Sequence, residues 1–433
     1  MPLYFEMADK NKSEGGLQRE IGKLGFSAIV LNGMIGAGIF ALPAVAAEKT
    51  GLFSPWMFFI CGLLIMTVVL TLARAASFFS DTWGQTNYVK LAFGNFAGFQ
   101  IGWLFSFSRI TAFAANINLM VTYASWFWEP LASGMARIIT ITIVCVLLVY
   151  VNVIGVKRGM AALFVITALK MIPLSLLVLL GMTKINPDIF IAADLPVFEG
   201  LGETILVLLY AYVGFESSVI PAGEARNPRR DIPWALVKTT IFICVFYFLI
   251  QLVSISVAPD IGNSEKPLAD VAMILMGTAG AGMLALGAVF SIGGNLSAMM
   301  LSAPRMIYAM AQDQTLPAWF GTIHTRYHTP AHSIIFLGIF ALALALSGSF
   351  VWLAAMSTVV RLLVYAGCIL SLPSLQKSID PVEGQFHLPG GFTIPAIALV
   401  LSLWLTTHAS MESWLVTGAF AALGSIFYVL TRR

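Results

Sequence analysis

The sequence predicts an all-α integral membrane protein of about twelve transmembrane helices, and three observations lead to it. Of 433 residues, 59% are hydrophobic and only 10% charged, where soluble domains carry roughly 25% charged residues. Apolar runs near the length needed to cross a bilayer recur along the whole chain. Two of these runs are interrupted where a membrane helix should be continuous. The first break is Asn32-Gly33-Met34-Ile35-Gly36-Ala37-Gly38-Ile39-Phe40, and the second is Tyr212-Val213-Gly214-Phe215-Glu216, about half the chain later.

The polar segment 1–20, with Lys10, Lys12 and Arg19, reads as a cytoplasmic tail and not as a cleavable signal peptide. The spans follow at 21–48, 53–79, 97–128, 134–154, 159–183, 202–223, 232–257, 278–310, 332–347, 350–374, 391–409 and 411–431. Each is an apolar run, although 332–347 is short and Leu91–Trp103 could form a surface helix leading into the third span. Loop charge fixes the direction of the first span. With the N-terminus inside, Arg74, Lys90, Lys157, Arg158, Arg226, Arg229, Arg230, Arg326, Lys377, Arg432 and Arg433 are cytoplasmic. The outer loops then hold Lys184 and Lys266 and more acids, among them Asp188, Asp194, Glu199, Asp260, Glu265 and Asp270. Cations on the inner side give both termini a cytoplasmic position.

Spans one to five, 21–183, match spans six to ten, 202–374, in length, and each set opens with a broken helix. Five spans per unit put the second unit upside down relative to the first, an inverted 5+5 repeat with two extra helices at 391–431. Backbone polar groups in hydrocarbon need partners, so unwound backbone persists only inside protein or beside a water-filled cavity. Paired broken spans at matching positions point to the binding site of a secondary transporter.

The motifs carry a more specific resemblance. Gly36-Ala37-Gly38-Ile39-Phe40, then Gly214-Phe215-Glu216 followed by Gly223-Glu224-Ala225-Arg226-Asn227-Pro228-Arg229-Arg230-Asp231-Ile232-Pro233, stand in order at the first and sixth spans. Arg305-Met306-Ile307-Tyr308-Ala309-Met310-Ala311-Gln312-Asp313, ending in Leu316-Pro317, closes the eighth. Together they resemble the amino acid–polyamine–organocation (APC) superfamily over most of the chain. The resemblance implies a leucine-transporter-type fold, a bacterial permease in the inner membrane, and amino-acid transport by alternating access.

The breaks themselves suggest the substrate chemistry. The half-helix beginning near Ala37 presents free N–H groups at a positive dipole end, suited to a carboxylate. The preceding half-helix leaves carbonyls near Met34, suited to an ammonium; helix packing through small residues is the structural alternative. The resemblance assigns the same roles to Met34, Ile35, Gly36, Ala37 and Gly38. In the sixth span the carbonyls of Tyr210 and Val213, beside Ala211 and Gly214, are matching ammonium candidates. Tyr210 resembles the aromatic that closes over substrate in relatives, and could equally be a packing residue. By the same resemblance Arg109, Ile110 and Ala114 line the side-chain pocket. Arg109 could recognise an acidic substrate, or pair with Glu216 or unwound carbonyls.

Two ionisable groups are candidates for coupling. Lys170 lies within an apolar span, where a cation costs several kcal/mol and marks function. It resembles the lysine that stands where sodium-dependent relatives bind their ion, which implies sodium-independent, proton-coupled transport or exchange. A static tether to the first and eighth helices is the alternative. Glu216 is either a proton site or a fixed partner for a buried cation, and Arg361 is a further ionisable group in the apolar zone. The cluster Glu224, Arg226, Arg229, Arg230 and Asp231 reads as a solvated topology signal or as an inner-gate salt bridge.

Other classes find little support. No nucleophile–base constellation, phosphate loop or metal-ligand spacing appears, so an enzyme, a cofactor and a metal site are not expected. Sparse polar residues within the spans argue against a channel pore. A net charge of +3 suggests no nucleic-acid partner. Cys61, Cys145, Cys244 and Cys368 fall in apolar runs and read as buried small hydrophobes. None lies between spans three and four, which by resemblance argues against a disulfide-linked accessory subunit. The expected partners are an amino acid, protons and the bilayer. Small first-helix residues favour a neutral substrate; an acidic amino-acid or amine/polyamine exchanger, and a transport-inactive sensor, are the alternatives.

Overall fold

Helix is nearly the only regular structure in the computed structural model, which describes residues 21–79, 84–155, 160–185, 187, 200–219, 222–379, 384–388 and 390–431. The tail 1–20 and Lys157, Arg158, Asp188, Asp194, Glu199, Arg432 and Arg433 lie outside these. The first interrupted run forms α1 (Lys23–Met34) and α2 (Gly38–Thr50), followed by α3 (Ser54–Ala76). Next come α4 (Gly84–Phe93), α5 (Asn95–Ala124), α6 (Gly134–Ile154) and α7 (Met160–Gly181). The second interrupted run contributes α8 (Leu201–Leu208), continued by tighter turns over Leu209–Tyr212 and Phe215–Val219. The rest is α9 (Pro228–Val257), α10 (Pro267–Gln312), α11 (Ala331–Ser347), α12 (Phe350–Ser378), α13 (Thr393–Thr406) and α14 (Met411–Thr431).

Eight stretches among the described residues are long and apolar enough to cross a membrane, and α11 and α13 are shorter apolar helices. Several boundaries differ from the sequence reading. The helix before the third span ends at Phe93, because Gly94 (φ +89°) turns the chain before α5. A helix from Pro267 precedes the eighth apolar run, and Gly277 (φ +67°, ψ −165°) separates the two at the expected start of that run, 278.

The centre of the fold is α5, which packs along α10 and α12, while α3 lies along α9. Helices α6, α7 and α14 turn Val146, Leu179 and Leu415 outward, each more than half exposed, as lipid-facing helices require. The α14 helix is seated by Trp103 of α5, whose indole N–H donates to the Phe420 carbonyl at 2.8 Å and whose ring stacks on Phe420. All four cysteines are buried and unpaired.

The two breaks meet backbone to backbone. A Cβ on Gly33 would stand 2.5 Å from the Gly214 carbonyl oxygen, and one on Gly214 would stand 2.3 Å from that of Gly33. Only glycine allows that approach, and Gly214 also sits at φ +109°, a conformation that side chains disfavour. Near the segment after the second break, Ile21 forms the one β-bridge among the described residues, with Ala225, through Ile21 N–H to Glu224 O and Arg226 N–H to Ile21 O.

We therefore expect Gly214→Ala to lower stability by about 1–3 kcal/mol from backbone strain alone. Gly418→Ala, where an added Cβ meets nothing within 4 Å, should stay within about 0.5 kcal/mol. Thermal unfolding of the purified variants in detergent measures both; equal melting temperatures would contradict the close approach.

Candidate functional site

The first break exposes four consecutive carbonyls, and neighbouring helices meet every one. Lys170 of α7, fully buried, donates to Ile35 O at 2.7 Å and lies 3.4 Å from Asn32 O. Ser291 of α10 reaches the same Ile35 carbonyl at 3.3 Å, and Asn295 Nδ2 donates to Gly33 O at 3.3 Å. Met34 O accepts the Tyr247 hydroxyl of α9 at 3.1 Å and the Gly36 N–H at 2.9 Å. A buried carbonyl without a donor costs about 1–3 kcal/mol, so these contacts keep the unwound segment tenable.

The donors of the same break are left over. The N–H groups of Ala37, Gly38 and Ile39 precede the first bond of α2 and donate to no carbonyl among the described residues. They sit at the positive end of a 13-residue helix dipole. In the second break the reverse holds. No donor among the described residues is bonded to the carbonyls of Tyr210 and Val213.

Donors and acceptors face one small cavity. Gly36, Ala37 and Gly38 border it from the first break, and Tyr210, Val213 and Gly214 from the second. Ala112 and Asn116 of α5, Asn295 and Met299 of α10, and Arg361 of α12 complete the wall. Its volume is about 20 Å³, space for about one water and far less than an amino acid fills. Tyr210 helps to close it. Its hydroxyl donates to Asn116 Oδ1 at 2.8 Å, with Ala112 O at 3.3 Å, and its ring meets Phe350 edge to face.

A buried ion pair braces the second break. Arg361 Nε donates to Glu216 Oε1 at 2.8 Å, and both side chains are at most 1% exposed. The other carboxylate oxygen accepts the Gly214 N–H at 2.8 Å and the Tyr365 hydroxyl at 3.2 Å. Arg361 Nη1 also donates to Ser357 Oγ. The carboxylate thus holds the unwound backbone of Gly214 and a guanidinium at the cavity wall in one network.

The sequence reading and this geometry agree in part. Met34, Gly36, Ala37, Gly38, Tyr210, Val213 and Gly214 border the cavity, whereas Ile35, Ala211, Arg109, Ile110 and Ala114 do not. The Met34 carbonyl is already occupied, whereas those of Tyr210 and Val213 on the second break accept from no donor among the described residues. Arg109 pairs with neither Glu216 nor unwound carbonyls: it donates to Ser217 Oγ and Ser302 Oγ, each at 2.9 Å. Arg361 takes the carboxylate because its fork approaches from α12. Lys170 tethers α7 to the first break and shares the Ile35 carbonyl with Ser291 of α10. The loop cluster at 224–231 forms no ion pair among the described residues; Asp231 instead accepts the Asn227 N–H at 3.2 Å. Asn116, Asn295 and Met299 were not singled out from sequence. Polar amides inside apolar spans could have flagged the two asparagines, while nothing distinguishes Met299 from its apolar neighbours.

The chain is also similar to known proteins. The amino acid permease family matches residues 21–430. The chain is 27% identical to the serine/threonine exchanger SteT of Bacillus subtilis, over 97% of this chain and 98% of that protein. It is 26% identical to a vacuolar cationic amino acid transporter 4 of Arabidopsis thaliana, over 94% of this chain and 70% of that one. An uncharacterized transporter of Mycobacterium bovis is 28% identical, over 96% and 93% respectively.

Removing one partner of a buried pair leaves the other charge uncompensated, at a cost of about 3–5 kcal/mol. Glu216→Gln and Arg361→Gln should each destabilise by that order, and the double variant by clearly less than their sum. Thermal unfolding of all four proteins gives the coupling; strict additivity would contradict a direct pair.

Proposed function

This chain belongs to the amino acid permease family, and on that premise we propose a sodium-independent secondary transporter of neutral amino acids that works by alternating access. Membership makes it a multi-pass membrane transporter of amino acids and not an enzyme. The observation that carries the finer reading is the pairing of free backbone N–H groups at Ala37–Ile39 with free carbonyls at Tyr210 and Val213 across one cavity. An α-carboxylate suits the first set and an α-ammonium the second, so backbone alone reads the part common to all amino acids.

The neutral preference rests on charge balance. Arg361 is the ionic residue bordering the cavity, and Glu216 neutralises it at 2.8 Å. A charged side chain entering there would lack a counter-charge, which is costly in a dry site. Asn116 and Asn295 offer amide groups to a small polar side chain, in keeping with the serine/threonine exchanger among the relatives. With about 20 Å³ of space, the site is closed in this conformation, and loading requires the broken helices to part from α5 and α10. Lys170 supplies a fixed or exchangeable positive charge on the first break, so proton coupling and exchange both fit. We further propose twelve spans with both termini cytoplasmic, in the inner membrane, and the repeats 21–183 and 202–374 in inverted relation.

A thermal-shift screen of the purified protein against all amino acids and common amines identifies the ligand, since a ligand stabilises by mass action. Uptake of that ligand into proteoliposomes then tests transport; stabilisation without uptake would make the protein a sensor.

Three outcomes are expected of this site. Decarboxylated analogues of the substrate should compete at least tenfold more weakly than the parent amino acid, because the N–H groups at Ala37–Ile39 lose their ligand; equal competition would refute the carboxylate site. Replacing sodium by choline at fixed pH and membrane potential should leave uptake unchanged. Lys170→Met should reduce uptake by tenfold or more while weakening binding less. A sodium requirement, or full activity of Lys170→Met, would remove Lys170 from this role.

A further inference from the structure

A second groove, of about 440 Å³, opens beside the first turns of α9, away from the central cavity. Arg229, Arg230 and Lys238 border it, and none of them forms an ion pair among the described residues. Lys23 adds a fourth cation, with Nζ 5.6 Å from the ring centre of Trp234, which also lines the groove. The neighbouring carboxylate, Asp231, is buried and already accepts the Asn227 N–H.

The wall of this groove contains two stranded donors. Arg229 Nε and Gln385 Nε2 are buried and have no hydrogen-bond partner among the described residues. Gln385 is only 7% exposed, and its Oε1 is engaged by Arg74 Nη1 at 3.5 Å, so its amide nitrogen is the free end. The segment that carries it is held by Arg74 donating to Phe386 O at 2.6 Å. Buried donors are nearly always satisfied, and these two, beside the cations of Arg230 and Lys238, call for an anion with several acceptor oxygens.

The apolar continuation indicates which anion. Below Trp234 and Lys238 on α9, the exposed residues are Ile241, Phe242 and Val245, each 45–48% exposed. Their helical spacing sets them on the face of Trp234 and Lys238, where a hydrocarbon chain can lie below a headgroup. Trp234 has the amphipathic character of a residue at the membrane–water boundary.

We propose that this groove binds the phosphate headgroup of an anionic phospholipid, with an acyl chain along Ile241, Phe242 and Val245. Basic pockets between helices at the cytoplasmic boundary recognise such headgroups, and the proposed orientation opens this groove to the inner leaflet. The bound lipid would link the start of α9 to the 384–388 segment and, through Arg74, to the end of α3.

Thermal unfolding in nanodiscs, of dioleoylphosphatidylcholine alone or with dioleoylphosphatidylglycerol, tests the site. Wild-type protein should melt several degrees higher with phosphatidylglycerol. The double variant Arg230→Gln/Lys238→Gln, at two exposed positions, should lose most of that shift, and Gln385→Leu should reduce it. Arg326→Gln, an exposed cation on another loop, should keep it. Inorganic phosphate added to phosphatidylcholine discs should not reproduce it. Equal melting in both lipids, full retention of the shift by the double variant, an equal loss in Arg326→Gln, or reproduction by free phosphate would each overturn the proposal.

Discussion

Unwound backbone inside a membrane cannot turn to water for its hydrogen bonds, and the arrangement around the first break follows from that constraint. The carbonyls of Asn32, Gly33, Met34 and Ile35 receive donors from α7, α9 and α10, each at 2.7–3.4 Å. Three helices distant in sequence are thereby fixed to one short segment. Acceptors are served and donors are not, because the N–H groups of Ala37, Gly38 and Ile39 point out of the start of α2. The asymmetry gives the break a chemical direction, a surplus of donors, which the proposed carboxylate site uses.

The second break solves the same problem differently. Glu216 bonds the N–H of Gly214 and leaves the Tyr210 and Val213 carbonyls free, so its surplus is of acceptors. Because Gly33 and Gly214 approach to backbone contact, the two breaks border one cavity, and a side chain at either glycine would strike the other break. Arg361 pairs with the carboxylate in a buried setting, so the one ionic residue of the cavity wall among the described residues has its charge cancelled there.

Much of this was legible in the sequence. The glycines that permit the breaks are visible as interruptions of apolar runs, and Lys170 stands out as a cation within hydrocarbon. The partner of each group was not. Arg109 and Arg361 look alike as isolated arginines in apolar spans, yet Arg361 bonds to Glu216 and Arg109 to two serines, because helix rotation and crossing decide which fork meets the carboxylate. The role of Gly38 illustrates the same limit. Its lack of a side chain suggests room for a ligand, but an added Cβ would first strike Ala211 Cα at 2.6 Å. The glycine therefore also serves the packing of α2 against the second break. Kinks such as that at Gly277 depend on a single φ angle, which an apolar run does not record.

The central claim is that backbone groups of the two breaks read opposite ends of one amino acid. The direct test is a cryo-electron microscopy structure with the best-binding amino acid in the site. The account predicts the carboxylate within hydrogen-bond distance of the Ala37–Ile39 N–H groups and the ammonium against the Tyr210 and Val213 carbonyls. A ligand bound elsewhere, or with its carboxylate on the second break, would contradict it.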